Sequence, residues 1–377
     1  MPHTEYRLYF NNLPATREQL DRVEEIVVEQ AVDMVWEARL QVPIGTDERG
    51  NWSGEADEIF AEFTPVRIEL RVGNSGFVPL IDGPVVGRDD SMMTEPGQSM
   101  MTVVVQDDSV FLNREERVHR FDDRLDHEVA QTLFEEIARI HRTEIETTPA
   151  PSSETLAIAA RGTSMQLLRS LARRQGKHAY VLPGDAPGES IGCFKAFTTD
   201  PSELPPLRLT GPARNLRTFA PEEDAQRPAS VTVYAASLLD ERVTESAASS
   251  AEIDRHGPEA AIADAGNVAT LLLPPRYGDS VDLDQQAIAV AERASYATQV
   301  TGSVMSSYYP GILQPYQTVS VEGVNAQRSG QYLIAQVTHR LSRFDYTQAF
   351  TLMRNARSGG ASTGASAIAT DLIGGIF

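Results

Sequence analysis

The 377-residue chain holds a single cysteine, Cys193, so no disulfide can close within it. That fits synthesis in a reducing cytoplasm and sets aside a disulfide-stapled scaffold. Lysine is almost missing: Lys177 and Lys195 are the only two, and the other basic residues are arginine. A GC-rich genome gives such a bias, and arginine forks also suit interfaces with carboxylates. Positive charge is scarce overall, with 33 basic against 53 acidic residues and a formal net charge of −20. A surface of that sign repels phosphate and anionic lipid, so neither broad nucleic-acid binding nor docking on an acidic membrane is expected. No uninterrupted apolar run in the sequence approaches the roughly 20 residues that span a bilayer. The N-terminal MPHTEYRLYFNN lacks the basic-then-apolar order of a secretion signal. Valine-glycine and hexapeptide repeats are missing too.

Catalytic patterns are equally scarce. There is no P-loop and no dinucleotide fingerprint. Gly162-Thr163-Ser164-Met165 does not complete a nucleophile elbow. His119 and His127 lie close in sequence, but the HEVAQ that begins at His127 is not a His-Glu-x-x-His zinc pattern, so surface or helix-capping roles are expected. His339 falls on an apolar strand face and reads as a packed, hydrogen-bonded histidine. Cys193 reads as a small buried group. The pairs Asp107/Asp108, Asp122/Asp123 and Glu222/Glu223 read as solvated surface in so acidic a chain. No catalytic, cofactor-binding or metal-binding residue is assigned, and no cofactor is expected.

What the chain does have is length for two or three domains and 41% apolar residues, enough for folded cores. Its most informative stretch is Gly330 to Asn355, GQYLIAQVTHRLSRFDYTQAFTLMRN. Leu333, Ala335, Val337 and Leu341 share one face at period two, with Tyr332 and Ile334 on the other. Tyr346, Phe350 and Leu352 share a face after the polar corner Ser342–Asp345. Two such runs around a short corner predict an antiparallel hairpin. Large groups on both faces predict that it is covered on both sides.

Read in order, Tyr6–Phe10 predicts a first strand. Residues 16–32 are open between helix, from a Thr16/Gln19 capping box, and strand. Strand is predicted from Met34, where Met34, Trp36, Ala38, Leu40 and Val42 alternate with polar residues. Residues 43–58 read as a polar loop. Val66, Ile68, Leu70 and Val72 alternate with Arg67, Glu69 and Arg71 in the cleanest strand of the chain. Phe77–Ile81 and Met101–Val105 add strands around a long loop, GRDDSMMTEPGQSM. Val129, Leu133, Ile137 and Ile140 follow Asp126 at helical spacing. Residues 147–154 read as a turn or linker. A second helix carries Leu167, Leu168 and Leu171, ends at Gly176, and leads into a strand at Ala179–Leu182. Further on come a strand at Val231–Tyr234, an exposed loop or insertion over 245–266, and a short buried strand at Thr270–Leu273. A helix is predicted over Asp282–Ala297, and a strand over Gln317–Val324. The last segment, 357–377, reads as a flexible tail. An alternative is an arm docking through Ile368, Leu372, Ile373, Ile376 and Phe377.

The residues Gly330, Tyr332, Val337, His339, Tyr346, Phe350, Leu352, Arg354 and Asn355, in that order, carry a family resemblance. The string looks like the closing hairpin of the phage late control protein D family, the baseplate hub proteins of contractile tails. The same unit forms the hub part of VgrG-type spikes and of phage-tail-like injection systems. The likeness extends over most of residues 95–356, through the helix after Asp126, the Leu167–Gly176 helix and the Asn215-Leu216 step. It implies strand from about Glu25 onward. It also implies a mainly β fold: a first tail-tube-like β-barrel at 1–112, a small α+β domain at 113–203, and a second β-barrel at 204–356 with a helical insertion near 245–300. The function implied is structural and non-enzymatic. A homotrimer would present six barrels to a six-fold inner tube ring and three-fold symmetry to a separate spike or needle protein, alongside other baseplate proteins. The chain would be made in a bacterial or archaeal cytoplasm and built into a virion or injection particle. Competing readings are a tail-associated cell-wall hydrolase, a tube-initiator ring protein of the same machine and, more remotely, a free adhesion module.

Overall fold

The computed structural model describes residues 4–47, 50, 52, 58–95, 97–150, 157–237, 242–250, 252–262, 269–274, 276–277, 282–343 and 345–358. The chain is mainly β; among the described residues four α-helices interrupt the strands. Thirteen of these strands share one continuous sheet. Its main path runs Leu216–Glu223, Thr298–Val304, Tyr346–Arg354, Gly330–Ser342, Glu25–Ala31, Glu37–Pro43, Met100–Gln106, Val78–Ser91, Pro65–Val72, Thr4–Phe10 and Leu13–Pro14. The two ends of the sequence meet in the middle of that path. Gly330–Ser342 pairs with Glu25–Ala31 from Gln336↔Ala31 to Ser342↔Glu25. The beginning of the same strand pairs instead with Thr318–Glu322.

Alternation places the cores. Val66, Ile68, Leu70 and Val72 turn to one side of their strand and pack with Leu8, Phe10, Ile26, Leu40, Val103 and Val105. A second core gathers Leu207, Val300, Val319, Tyr332, Ile334, Val337, Phe350 and Leu352. Leu341 and Tyr346, from the same hairpin, belong to the first core. Each such fully buried side chain contributes about 1.5–3 kcal/mol relative to exposure. A third core joins helices α2 (Asp126–Glu135) and α3 (Ser164–Arg174) to a three-stranded sheet, through Val129, Leu133, Leu168, Leu171 and Phe194. The fourth lies where helix α4 (Leu283–Ser295) covers Val231 and Val233.

Several elements follow their sequence cues. Thr16 and Gln19 form the capping box of a short first helix, α1 (Arg17–Arg22), and the strand Glu25–Ala31 follows. Thr163 caps α3 in the same way, with Gln166 returning the bond, and Gly176 leaves the helix at φ +67°. Asp282 accepts from the Gln285 amide at the start of α4.

Others depart from expectation. The strand expected from Met34 starts at Glu37, because Asp33 adopts φ +58° and Met34 is exposed. The GRDDS part of the expected long loop is strand: Val78–Ser91 runs on, with Arg88 opposite Val103 and Asp90 opposite Met101. Helix α2 stops before Ile137, and Ile140 opens a strand. Within the expected 245–266 loop, residues up to Ser249 complete the strand Arg242–Ser249, paired along Ser230–Ser237. Thr270–Leu272 is a strand but an exposed one. Of the expected tail, 357–377, Arg357 ends a short strand, Ala356–Arg357, and residues 359–377 lie outside the described residues, as do residues 151–154 of the expected linker, 147–154.

The closing hairpin is present, yet its faces are not the expected ones. An extra residue, Ala335, makes a bulge between Ile334 and Gln336. One extra residue reverses the parity of everything beyond it. Tyr332 and Ile334 therefore share a face with Val337, His339 and Leu341, and Leu333 lies buried on the other. The bulge carbonyl accepts from the Val32 amide at 2.9 Å, which ties the bulge to the end of the Glu25–Ala31 strand, in the β unit built around the first core.

Candidate functional site

Polar groups concentrate where the packed units meet, and three such junctions are built from buried side chains. The first begins on Pro65–Val72. Its non-core side carries Arg67 and Glu69, which are only 2% and 7% exposed. Arg67 donates from Nε to Glu69 at 2.8 Å and from Nη1 to Asp82 at 3.1 Å. Asp82 also accepts from Arg139 Nη2 at 2.9 Å and from the Gly188 amide at 2.9 Å. Arg139 donates onward to Asp108 at 2.7 Å, and Asp108 accepts from the Ser190 hydroxyl at 2.7 Å. Five charged groups, Glu69, Arg67, Asp82, Arg139 and Asp108, thus alternate in sign across the seam between the β unit of the first core and the helical unit of α2 and α3. Burial raises the pKa of Asp82 and of Asp108, despite the arginines that oppose it.

Asp107 and Asp108 were expected on solvated surface; both are buried, which corrects that reading. The reason is backbone demand. Asp107 accepts from the Trp36 amide at 2.5 Å and the Ser109 amide at 2.8 Å, closing a strand end and a turn. Burial pushes its pKa up to about 6. Asp122, Asp123, Glu222 and Glu223 are exposed.

The second junction is centred on His339, which is fully buried. Gln30 fixes the tautomer. Its amide nitrogen donates to the Leu80 carbonyl at 2.7 Å, so its oxygen faces His339 Nε2 at 3.2 Å. Nε2 therefore carries the proton, and Nδ1 accepts from the Tyr346 hydroxyl at 2.9 Å. Burial holds the imidazole neutral, with its pKa lowered to about 3. Beside it Gln348 accepts from the Leu313 amide and donates to the Gly311 carbonyl. This polar ladder runs between the first and second cores and satisfies every group it buries there.

The third junction uses Arg354 and Asn355, at the end of the hairpin. Arg354 is 1% exposed and donates to the Ser329 carbonyl at 3.1 Å and to Ser358 Oγ at 2.9 Å. Asn355 accepts from the His256 amide at 3.0 Å and donates to the Asp254 carbonyl at 2.9 Å. Burial and the neighbouring Arg354 lower the pKa of His256 to about 4. An aromatic stack adjoins the seam. Tyr180 lies 3.5 Å from Tyr316, His178 lies 3.7 Å from Phe197, and His178 Nδ1 meets Asp33 at 2.8 Å. Burial raises the Asp33 pKa, but His178, Arg293 and Arg169 together outweigh it and hold the carboxyl below its usual range.

The remaining singled-out residues are also consumed by the fold. His119 is buried rather than on the surface, and its Nε2 donates to the Gly162 carbonyl at 3.1 Å. His127 Nδ1 accepts from the Thr148 amide at 3.1 Å, and Thr148 belongs to the segment after the Ile140–Ile145 strand. Cys193 is buried, and burial pushes its thiol up to about 12. Among the described residues no group of three or more His, Cys, Asp or Glu could hold a metal ion. No helix among them is long and apolar enough to cross a membrane. Arg67, Asp82 and Arg139 escaped the sequence reading. The one available cue was opposite charges two apart on a strand, which more often marks a wet face.

No family model matches the chain, and no curated protein sequence matches it. Solved structures do. A 43 kDa tail protein from a Shewanella oneidensis prophage is 12% identical with a TM-score of 0.61, covering 94% of this chain and 99% of its own. A tail protein from Neisseria meningitidis is 13% identical with a TM-score of 0.60, covering 93% and 96%. A chain of the Francisella PdpA–VgrG complex is 8% identical with a TM-score of 0.54, covering 94% of this chain and 58% of that one. At these identities the likeness is one of fold.

Proposed function

We propose that the chain is a structural, non-enzymatic hub subunit in the baseplate of a contractile phage tail or related injection particle. Three copies form a ring that adapts a six-fold inner tube to a three-fold spike carried by a separate protein. The observation that carries this reading is the pairing of Gly330–Ser342 with Glu25–Ala31. It hydrogen-bonds two β units of one chain into a single sheet, so each subunit offers two such units in a fixed relation. Three subunits then offer six. Fold likeness to tail proteins over more than nine-tenths of the chain supports the same reading.

The sheet ends give a means of assembly. Leu216–Glu223 and Leu13–Pro14 close its main path, and Leu13 is 68% exposed. Edge strands of this kind pair between subunits or must otherwise be covered. A permanent ring of this type buries more than about 2,000 Å² per interface. Native mass spectrometry with negative-stain electron microscopy tests the proposal. A trimer enclosing a channel is expected. A stable monomer at micromolar concentration, or a six-fold ring, overturns it.

A further inference from the structure

In a chain of net charge −20, four arginines converge on one cleft. The cleft lies between α3 and α4 and has a volume of about 640 Å³. Gln166, Arg169, Ser170, Arg173 and Arg174 line it from α3; Gln286, Val290 and Arg293 line it from α4. Helical spacing explains the convergence, since residues three and four apart share a face. The helices are held together beside the cleft. Gln285 donates to the Gln175 carbonyl at 3.1 Å, and Arg293 Nη2 donates to the Lys177 carbonyl at 3.2 Å.

The four guanidiniums are not equally committed. Arg174 is paired with Asp126, donating from Nε at 2.6 Å. Arg169 Nε, Arg293 Nε and the Gln286 side-chain oxygen are buried without a hydrogen-bond partner. Buried donors without acceptors are costly, and guanidinium is the most demanding donor set a side chain can carry. The nearest acidic groups leave the shortfall standing. Asp33 interacts with Arg169 and Arg293 through space, yet its hydrogen bond goes to His178. Glu292 lies near Arg293, but burial pushes its pKa up to about 7, so its carboxylate is only partly ionised at neutral pH. The Arg293 pKa is lowered, first by burial and then by the like charge of Arg173, against the pull of Asp33 and Glu292.

We propose that this cleft is a docking site for an acidic peptide segment of a partner protein, whose carboxylates are received by Arg169, Arg173 and Arg293. Planar guanidiniums bind carboxylates by paired, charge-assisted hydrogen bonds. The cleft is of the size that holds a multi-atom ligand rather than one small anion. Val290 supplies an apolar wall for side-chain methylenes. The charge contrast also favours a polypeptide over nucleic acid: the rest of the chain is acidic and repels a long phosphate backbone. A short carboxylate segment avoids most of that repulsion.

Fluorescence anisotropy of the full chain with fluorescein-labelled hexaglutamate tests the site. Hexaglutamine serves as the neutral probe and inorganic phosphate as competitor. Saturable hexaglutamate binding is expected, absent with hexaglutamine and weakened by about tenfold for each guanidinium removed in R173Q and R169Q/R173Q. Arg173 is exposed, so R173Q keeps the test valid should the double variant fold poorly. R17Q, which removes a side chain 96% exposed on the Arg17–Arg22 helix, leaves binding unchanged. No saturable binding, or an equal loss in R17Q and R173Q, overturns the proposal. Displacement of the peptide by phosphate at equal concentration overturns it too, in favour of a small-anion site.

Discussion

Asp82→Asn should open the seam between the first β unit and the helical unit. Asp82 is 1% exposed and accepts from three donors on three separate segments: Arg67, Arg139 and the Gly188 amide. Asparagine keeps the shape but loses the charge and one acceptor. Arg67, 2% exposed, would keep only Glu69 as a carboxylate partner. Stranding one member of a buried pair costs about 3–5 kcal/mol, most of it the burden of the unpaired charge. With Glu69 still in place the low end, about 3 kcal/mol, is expected here, or roughly a hundredfold in an opening equilibrium. The chain has several cores, so a single melting temperature is a poor readout. Hydrogen exchange at the Gly188 amide reads the seam directly, and its protection should fall by about two decades. Exchange at Gly188 within threefold of the parent in D82N would refute the assignment of the seam to this ion chain.

His339→Phe should flatten the acid limb of stability. The native pKa of His339 is depressed to about 3, so its stabilising neutral form is fully matched in the unfolded chain only above pH 6.5. Below that the unfolded chain takes up a proton that the native chain refuses, and stability falls by about 2 kcal/mol between pH 6.5 and pH 5. Asp107 acts in the opposite sense, its pKa of about 6 favouring the native state as pH drops, so the comparison of parent with variant slopes by chemical denaturation is the check. An identical slope would show that the ring titrates normally. Gly83→Ala should cost about 3 kcal/mol or more, since an added Cβ would lie 1.9 Å from the Gln106 carbonyl oxygen. Soluble yield and thermal unfolding at parental levels would contradict that contact.

The hairpin was legible because its side chains are large and its alternation is long. Both are local properties, and a strand pattern of thirteen residues survives much tertiary noise. Helix ends were legible for the same reason: Thr16 with Gln19 and Gly176 act on their own backbone. Arg88, Asp89 and Asp90 read as loop in the sequence because charge and a nearby glycine resemble a turn; their strand shows only in the pairing with Val103, Thr102 and Met101 of the next strand. Asp107 and Asp108 were misplaced likewise. What buries them is Trp36, just before the Glu37–Pro43 strand, and Arg139 and Ser190 in another unit, none of which is near in sequence. The arginine cleft is split between helices more than a hundred residues apart, so its composition exists only after folding.

The bulge at Ala335 was the least visible feature and has the widest consequence. Alanine carries no mark of a bulge, unlike the glycine that a left-handed one would require. Yet without the extra residue, Tyr332 and Ile334 could not share a face with His339 and Leu341. Tyr332 and Ile334 would then turn away from the second core, which the strand would meet on this face only through Val337. With it, a single strand enters the second core at Tyr332, turns its polar His339 into the boundary, and ends in the first core at Leu341. A relative rotation of the two β units must therefore break the Gln336–Ser342 ladder and strand His339, Gln30 and Tyr346 together. That linkage converts two separately packed units into one stiff element, which is the property a subunit needs if its two halves are to stand for equivalent positions in a ring.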